Sequence, residues 1–281
     1  MMKRTVFFAV VAIVIAGTAF AQDAAETPGE GSRSAAAELA RKLQDPLANL
    51  RVFNTENNFD FGTGDEELSV TFNVQPIYAI SREKLNIVLR GVIPVVGLAP
   101  EAQKPVVGDP LPPGTSDTWG LADSQFMAFF SPKSESKFKW GLGPVISTPT
   151  ATDSKLSGAG WGGGPALIVV GTVGSQWTYA VIGTQVWGQD GYSTSNLQPM
   201  LFYNIPGTDG WAINYNAMWA YNHNATKGNE WTIPLGLSVS KPWVLKSGHA
   251  IDTSIGVYEN VVKPDGAADW TFRWTIGLVF P

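Results

Sequence analysis

The chain has 281 residues, with 19 Lys and Arg against 24 Asp and Glu, a formal charge of −5, and only 15% charged residues. An acidic chain with no basic stripe argues against nucleic acid as a partner. It contains no cysteine, which excludes a disulfide framework and thiolate chemistry.

Residues 1–21 have the three parts of a secretory signal peptide. Lys3 and Arg4 form the positive start, Val6 to Ile15 the apolar run, and Ala19-Phe20-Ala21 a small-x-small cleavage site. A membrane anchor is the alternative, but the run is short against the roughly 20 apolar residues of a spanning helix. Without Lys3 and Arg4, 17 basic residues remain against 24 acidic ones, a formal charge of −7. Residues 22–49 read as a linker and a short helix. Ser34 can cap a helix over Ala35 to Leu43, and Pro46 ends it. This segment either plugs a lumen, rests on the periplasmic mouth, or is a plain tether.

Residues 50–281 read as one outer-membrane β-barrel. Alternation replaces the helical period from about Leu50. Leu68, Val70, Phe72, Val74 and Pro76 oppose Ser69, Thr71, Asn73 and Gln75, and similar sets recur over 85–93, 138–147, 211–219 and 231–239. The inward sets are expected to be small or polar, the outward sets large and apolar. The last strand, Trp270 to Phe280, puts six large apolar groups on one face and Arg273 with Thr271 and Thr275 on the other. Such a face on a soluble edge strand would aggregate, whereas lipid requires it. Connections alternate between longer loops and short turns. The count is about 12 strands in an all-β, transmembrane, antiparallel up-and-down barrel, with 10 or 14 left open because Leu121 to Phe130 alternates poorly.

Parity nominates Arg273, Arg90, Glu56, Asp60, Lys139 and Asp252 as lumen-facing, with Arg273 near the seam between first and last strands. Trp140, Trp161, Trp177, Trp187, Trp211, Trp219, Trp231 and Trp270 are candidates for aromatic girdles at the two membrane boundaries.

Several motifs recur together: Asp45-Pro46, Gln75-Pro76, Arg90 with Ile93-Pro94, Gly120-Leu-Ala-Asp123, and Gly143-Pro144 through Pro149-Thr-Ala-Thr-Asp153. They continue with Gly158, Gly160-Trp161, Gly164-Pro165, Trp231-Thr-Ile-Pro-Leu-Gly236 with Lys241, and Val261-Val-Lys-Pro-Asp265 with Trp270, Arg273 and Phe280-Pro281. In this order they resemble a bacterial outer-membrane family often labelled transporter or component of the meta-pathway of phenol degradation, and in some members mislabelled neuromedin U. The resemblance covers nearly the whole chain after residue 21. It implies an outer-membrane barrel with a transport role, and carries over no catalytic or binding residue. One departure is Ser238 and Ser240 where that family tends to repeat Gly.

Catalytic chemistry has little to stand on. There are two histidines, and His223 and His249 both fall at connections. Ser247 with His249 is better explained as a turn pair than as nucleophile and base. Gly158 to Gly164 lacks the Lys-Ser/Thr ending of a phosphate loop. Asp153, Asp190 and Asp265 suit turns. No metal or cofactor is expected. The expected partners are outer-membrane lipid, the barrel assembly machinery and a small-molecule solute, with oligomeric state left open. The expected function is passive passage of a small hydrophobic or aromatic compound; a non-transporting structural or surface-binding barrel is the alternative.

Overall fold

The computed structural model describes residues 30–63, 67–98, 118–134, 136–245 and 249–280. The signal segment 1–21 and most of the Leu98 to Asp117 loop lie outside them. The described residues form one α-helix, two short 3-10 turns and twelve barrel strands. Helix α1 is Glu30–Leu43, then come β1 (Arg51–Thr63), β2 (Glu67–Ser81) and β3 (Leu85–Leu98). Strand β4 runs in two parts, Thr118–Leu121 and Ser124–Pro132. It is followed by β5 (Phe138–Thr148), β6 (Gly162–Val173), β7 (Trp177–Trp187) and β8 (Ser193–Asn204). Strand β9 is also in two parts, Ala212–Asn216 and Trp219–Asn222, and β10 (Trp231–Val244), β11 (Ala250–Val262) and β12 (Trp270–Phe280) complete the set.

Each strand pairs antiparallel with its neighbours in sequence, and β1 pairs with β12 from Arg51↔Phe280 through Phe61↔Trp270, which closes the ring. Closure leaves no open edge in the wall. The twelve-strand, up-and-down architecture with a short preceding helix is therefore as the alternation implied.

The poor alternation of β4 has a local cause. Val95 pairs with Leu121, whereas Val92 pairs with Gln125, so β4 carries one extra residue between these rungs. A bulge of one residue inverts side-chain parity. Trp119 is outward before it; after it Phe126 and Phe130 are outward, while Gln125, Met127 and Phe129 are buried inward. The gap in β9 is different: Asn216↔Met200 and Trp219↔Leu197 keep one register across Ala217 and Met218.

The outside is apolar and open, as at Phe53, Leu142, Leu167, Leu201, Leu235 and Leu278. The inside is filled and has two unlike halves. From β1, β2 and β12 come Asn58, Asp60, Ser69, Asn73 and Thr271, all fully buried. From β3 to β7 come Val88, Val92, Met127, Phe129, Val145, Ile168, Val170, Ile182 and Val186, which cluster together. The expectation that inward sets are small or polar thus holds for only half the ring. Within β6, from Pro165 to Val170, both faces are apolar, so no alternation marks it.

Helix α1 starts at Glu30 rather than Ala35, so Ser34 lies within it instead of capping it. Once nucleated, a helix extends through neighbouring residues at little cost, and the alanines favour it. It packs near the 205–211 turn, where a Cβ on Gly210 would crowd the Ala36 carbonyl. Beyond it, Asp45 Oδ1 accepts from Leu47 N–H (2.9 Å), a turn that suits Pro46. Residues 44–50 then cross the end of the barrel where β1 begins and β12 ends, the termini end. Gln44 and Asn204 exchange two amide hydrogen bonds (2.8 and 2.9 Å), Lys139 pairs with Asp45 at 2.7 Å, and Leu47 is buried within the apolar half.

Candidate functional site

The inward charged groups fall into separate places. Arg273, on β12, stands opposite Asn58 on β1 and Gly256 on β11. It is 5% exposed. Its Nε donates to Asn58 Oδ1 (2.6 Å) and lies 3.7 Å from Glu56 Oε1, and its guanidinium sits 4.8 Å from the Tyr258 ring centre. On the far side Nη1 donates to the carbonyl of Asn216 on β9 (2.7 Å). One guanidinium therefore ties the seam to the bent strand β9. Asp60 is fully buried and accepts from Thr271 Oγ1 at 2.5 Å, two rungs away from that centre.

Arg90, on β3, makes a second crossing. Its Nη2 donates to Gln75 Oε1 on the neighbouring strand (3.0 Å), while Nη1 donates to Gln198 Oε1 (3.2 Å) on β8. Gln198 Nε2 in turn donates to Asn216 Oδ1 (2.8 Å), so both arginines meet at β9. A small cavity of about 30 Å³, partly open to solvent, lies between these crossings. Polar residues line it, among them Glu56, Gln75, Arg90, Gln125, Thr184 and Arg273, and apolar ones such as Val92 and Met127 are interleaved with them: Arg90 pairs with Met127 and Val92 with Gln125. The remaining two candidates are elsewhere. Lys139 is at the termini end with Asp45, and Asp252 is several rungs from Arg273, opposite Gly277 and Pro242.

The tryptophans form two sets by strand direction. Trp140, Trp177 and Trp211 open upward strands at the termini end; Trp161, Trp187, Trp219, Trp231 and Trp270 sit towards the opposite end. Trp140, Trp161, Trp177, Trp187 and Trp231 are well exposed, while Trp211, Trp219 and Trp270 are partly covered. The sequence survey passed over Trp119 and Trp243, both exposed at strand ends. Trp219 donates its indole N–H to Tyr215 Oη (2.6 Å), and Lys241 stands 4.4 Å from the Trp243 ring centre.

Sequence reasoning also missed the role of Gln75, Gln125, Asn196 and Gln198. Their inward parity was readable, but which of them share a level depends on the stagger of the closed barrel. It missed Asp123 too. This residue is in the β4 bulge, 1% exposed, and its carboxylate accepts from Gly158 N–H (2.8 Å), Gly160 N–H (2.7 Å), Ala151 N–H (3.2 Å) and Ser157 Oγ (3.3 Å). Gly160 holds φ +58, a left-handed conformation that glycine adopts without strain. The bulge thereby organises the 149–161 loop over the end remote from the termini.

Catalytic geometry is sparse. Ser247 is outside the described residues. His223 instead shares a 2.8 Å hydrogen bond between its Nε2 and Ser195 Oγ at the rim. Among the described residues no group of three or more His, Cys, Asp or Glu is placed to hold a metal ion.

No protein-family model matches the chain, and no curated protein matches it in sequence. Among solved structures it is similar to an outer membrane channel of Pseudomonas putida F1, with a TM-score of 0.54 and 12% identity over 83% of this chain and 96% of that one. The NanC porin gives a TM-score of 0.48 and 8% identity over 82% of this chain and 99% of that one. OccK1 (OpdK) of Pseudomonas aeruginosa gives 0.34 and 8% over 82% and 98%. The first of these is a likeness of fold: a closed antiparallel barrel of the outer-membrane type.

Proposed function

We propose that the protein is a passive channel of the outer membrane for a small solute with a substantial apolar part. The observation that carries this is the mid-height cavity inside a closed, outwardly apolar barrel, lined by polar and apolar side chains side by side. A lumen of this kind can wet a solute's polar end while its body slides along Val92, Met127 and Ile182. The Arg90 and Arg273 crossings and the segment 44–50 keep the passage narrow, so flux of large hydrophilic solutes is not expected. The lipid boundary would be held by the two sets of tryptophans, whose rings favour the interface.

The finer family assignment, to the transporters associated with phenol meta-cleavage, is also part of this proposal. It draws support from Asp123, which is 35 and 37 residues from Gly158 and Gly160 and joined to both by hydrogen bonds. An aromatic solute suits that assignment and the mixed lining of the passage.

The N-terminal segment is proposed to restrict the termini-end mouth, through Gln44–Asn204, Asp45–Lys139 and the buried Leu47. Single-channel recording tests both points. Deleting residues 22–47 should raise conductance severalfold over the full-length mature chain. If neither form conducts or passes a small aromatic solute into liposomes, a non-transporting barrel replaces the channel.

A further inference from the structure

We propose that the outer face of the barrel at its termini end, over β3 to β5, binds phospholipid of net negative charge. Arg82, Lys84, Lys133 and Lys137 hold the phosphate, and the acyl chains lie along the apolar wall beneath them. The site is on the outside of the wall and stands whether or not the lumen conducts.

Charge is the first reason. Two short turns, 82–84 and 133–137, carry these four cations, and all four are exposed. The fold brings the turns together, since Lys133 N–H donates to the Lys84 carbonyl at 3.1 Å. The same turns hold Glu83 and Glu135, the latter outside the described residues. Four cations against two carboxylates leave a local charge of +2 on a chain whose total is −5. Among the described residues none of the four is in an ion pair. Arg51, at the start of β1, extends the patch along the same rim. It is exposed and stands 5.0 Å from the ring centre of Tyr78, with no carboxylate paired to it among the described residues. Basic side chains clustered at a membrane boundary attract anionic headgroups.

Position is the second. Both turns lie at the end where β1 begins and β12 ends. Short turns mark the periplasmic end of outer-membrane barrels, and the leaflet on that side is phospholipid. Long basic side chains at this level keep their stems on apolar surface while the charged heads reach phosphate.

The wall beneath is the third and independent reason. Below the turns the outer face carries Leu89, Phe130, Phe138, Trp140 and Leu142, each between 41% and 50% exposed. Phe130 pairs with Ile87 on one side and Leu142 on the other, so one apolar surface spans three strands. Lys139, between Phe138 and Trp140, turns inward to Asp45 at 2.7 Å and puts no charge on that surface. A soluble anion or an acidic protein would use the cations and leave the apolar surface unmatched. A zwitterionic lipid would cover the surface but bring its own cation beside each phosphate. A phospholipid of net negative charge matches both parts.

The test uses the full-length mature protein in nonionic detergent, read by native mass spectrometry, with phosphatidylglycerol and phosphatidylethanolamine of equal chain length as probes. Phosphatidylglycerol should bind about tenfold more tightly. Lys84→Gln combined with Lys133→Gln should cut that preference to about threefold or less. Lys155→Gln combined with Lys227→Gln, at two exposed lysines in loops of the opposite end, should leave it intact. All four positions are on the surface, so the variants keep the fold. Equal affinity for the two lipids overturns the proposal. So does a preference that survives the first pair of substitutions, or one that falls equally with the second. Glycerol phosphate and a polyglutamate peptide should compete poorly with the lipid. If either competes as well as phosphatidylglycerol itself, the cations serve a soluble anion or an acidic partner and the lipid site is overturned.

Discussion

Glu56, Asn58 and Asp60 stand two residues apart on β1, so all three point inward, and each has an assigned task against β12. Asn58 and Glu56 hold Arg273, and Asp60 receives Thr271. A buried charge stripped of its partner is expensive, whereas neutralising both partners restores much of the loss. Arg273→Met should therefore destabilise the barrel by about 3–5 kcal/mol, measured as a lower urea midpoint in detergent or lipid. Adding Glu56→Gln should recover part of it. If the double variant is no more stable than the single one, Glu56 is not the charge that Arg273 balances. Parity from the sequence could nominate these residues, because a period of two is all that inwardness requires. It could not show that Arg90 reaches Gln198 across the lumen, since no period in the chain encodes a contact between strands β3 and β8.

At the scale of elements, β4 explains both a difficulty in the sequence and the shape of one end of the barrel. Its extra residue turns Trp119 and Phe126, seven positions apart, to the same outward side. No single alternation fits a strand whose faces exchange midway, which is why the count of strands stayed open from sequence alone. The bulge also aims Asp123 at the 149–161 loop. Asp123→Ala leaves three N–H groups and one hydroxyl without their acceptor, a loss on the order of 3 kcal/mol. The temperature at which the heated protein changes its gel mobility should fall, while the strand content by circular dichroism at room temperature stays. An unchanged transition would mean that the loop contributes nothing to the stability of the wall. Helix α1 was legible in existence and end point, because Pro46 stops it. Its start was not, since Ser34 is as acceptable inside a helix as before it when alanines follow.

For the whole molecule, a closed ring with an apolar exterior was readable because lipid imposes one rule on every strand's outer face. The interior obeys no such rule. β1, β2 and β12 fill it with polar groups, and β3 to β7 largely with Val, Met, Ile and Phe, so the mixed lumen emerges only once the register is known. The proposed solute passage runs through this interior at the level of Arg90 and Gln125. A cysteine at 273 would remove a guanidinium that the seam needs, so Gln125→Cys and its sequence neighbour Phe126→Cys are the better probes. A small, charged, water-soluble thiol reagent is applied during single-channel recording. Modification at 125 should reduce conductance by more than half, and the same exposure at 126 should leave it unchanged. Reaction at 126 with no effect at 125 would contradict both the inward face assigned here and the passage built on it.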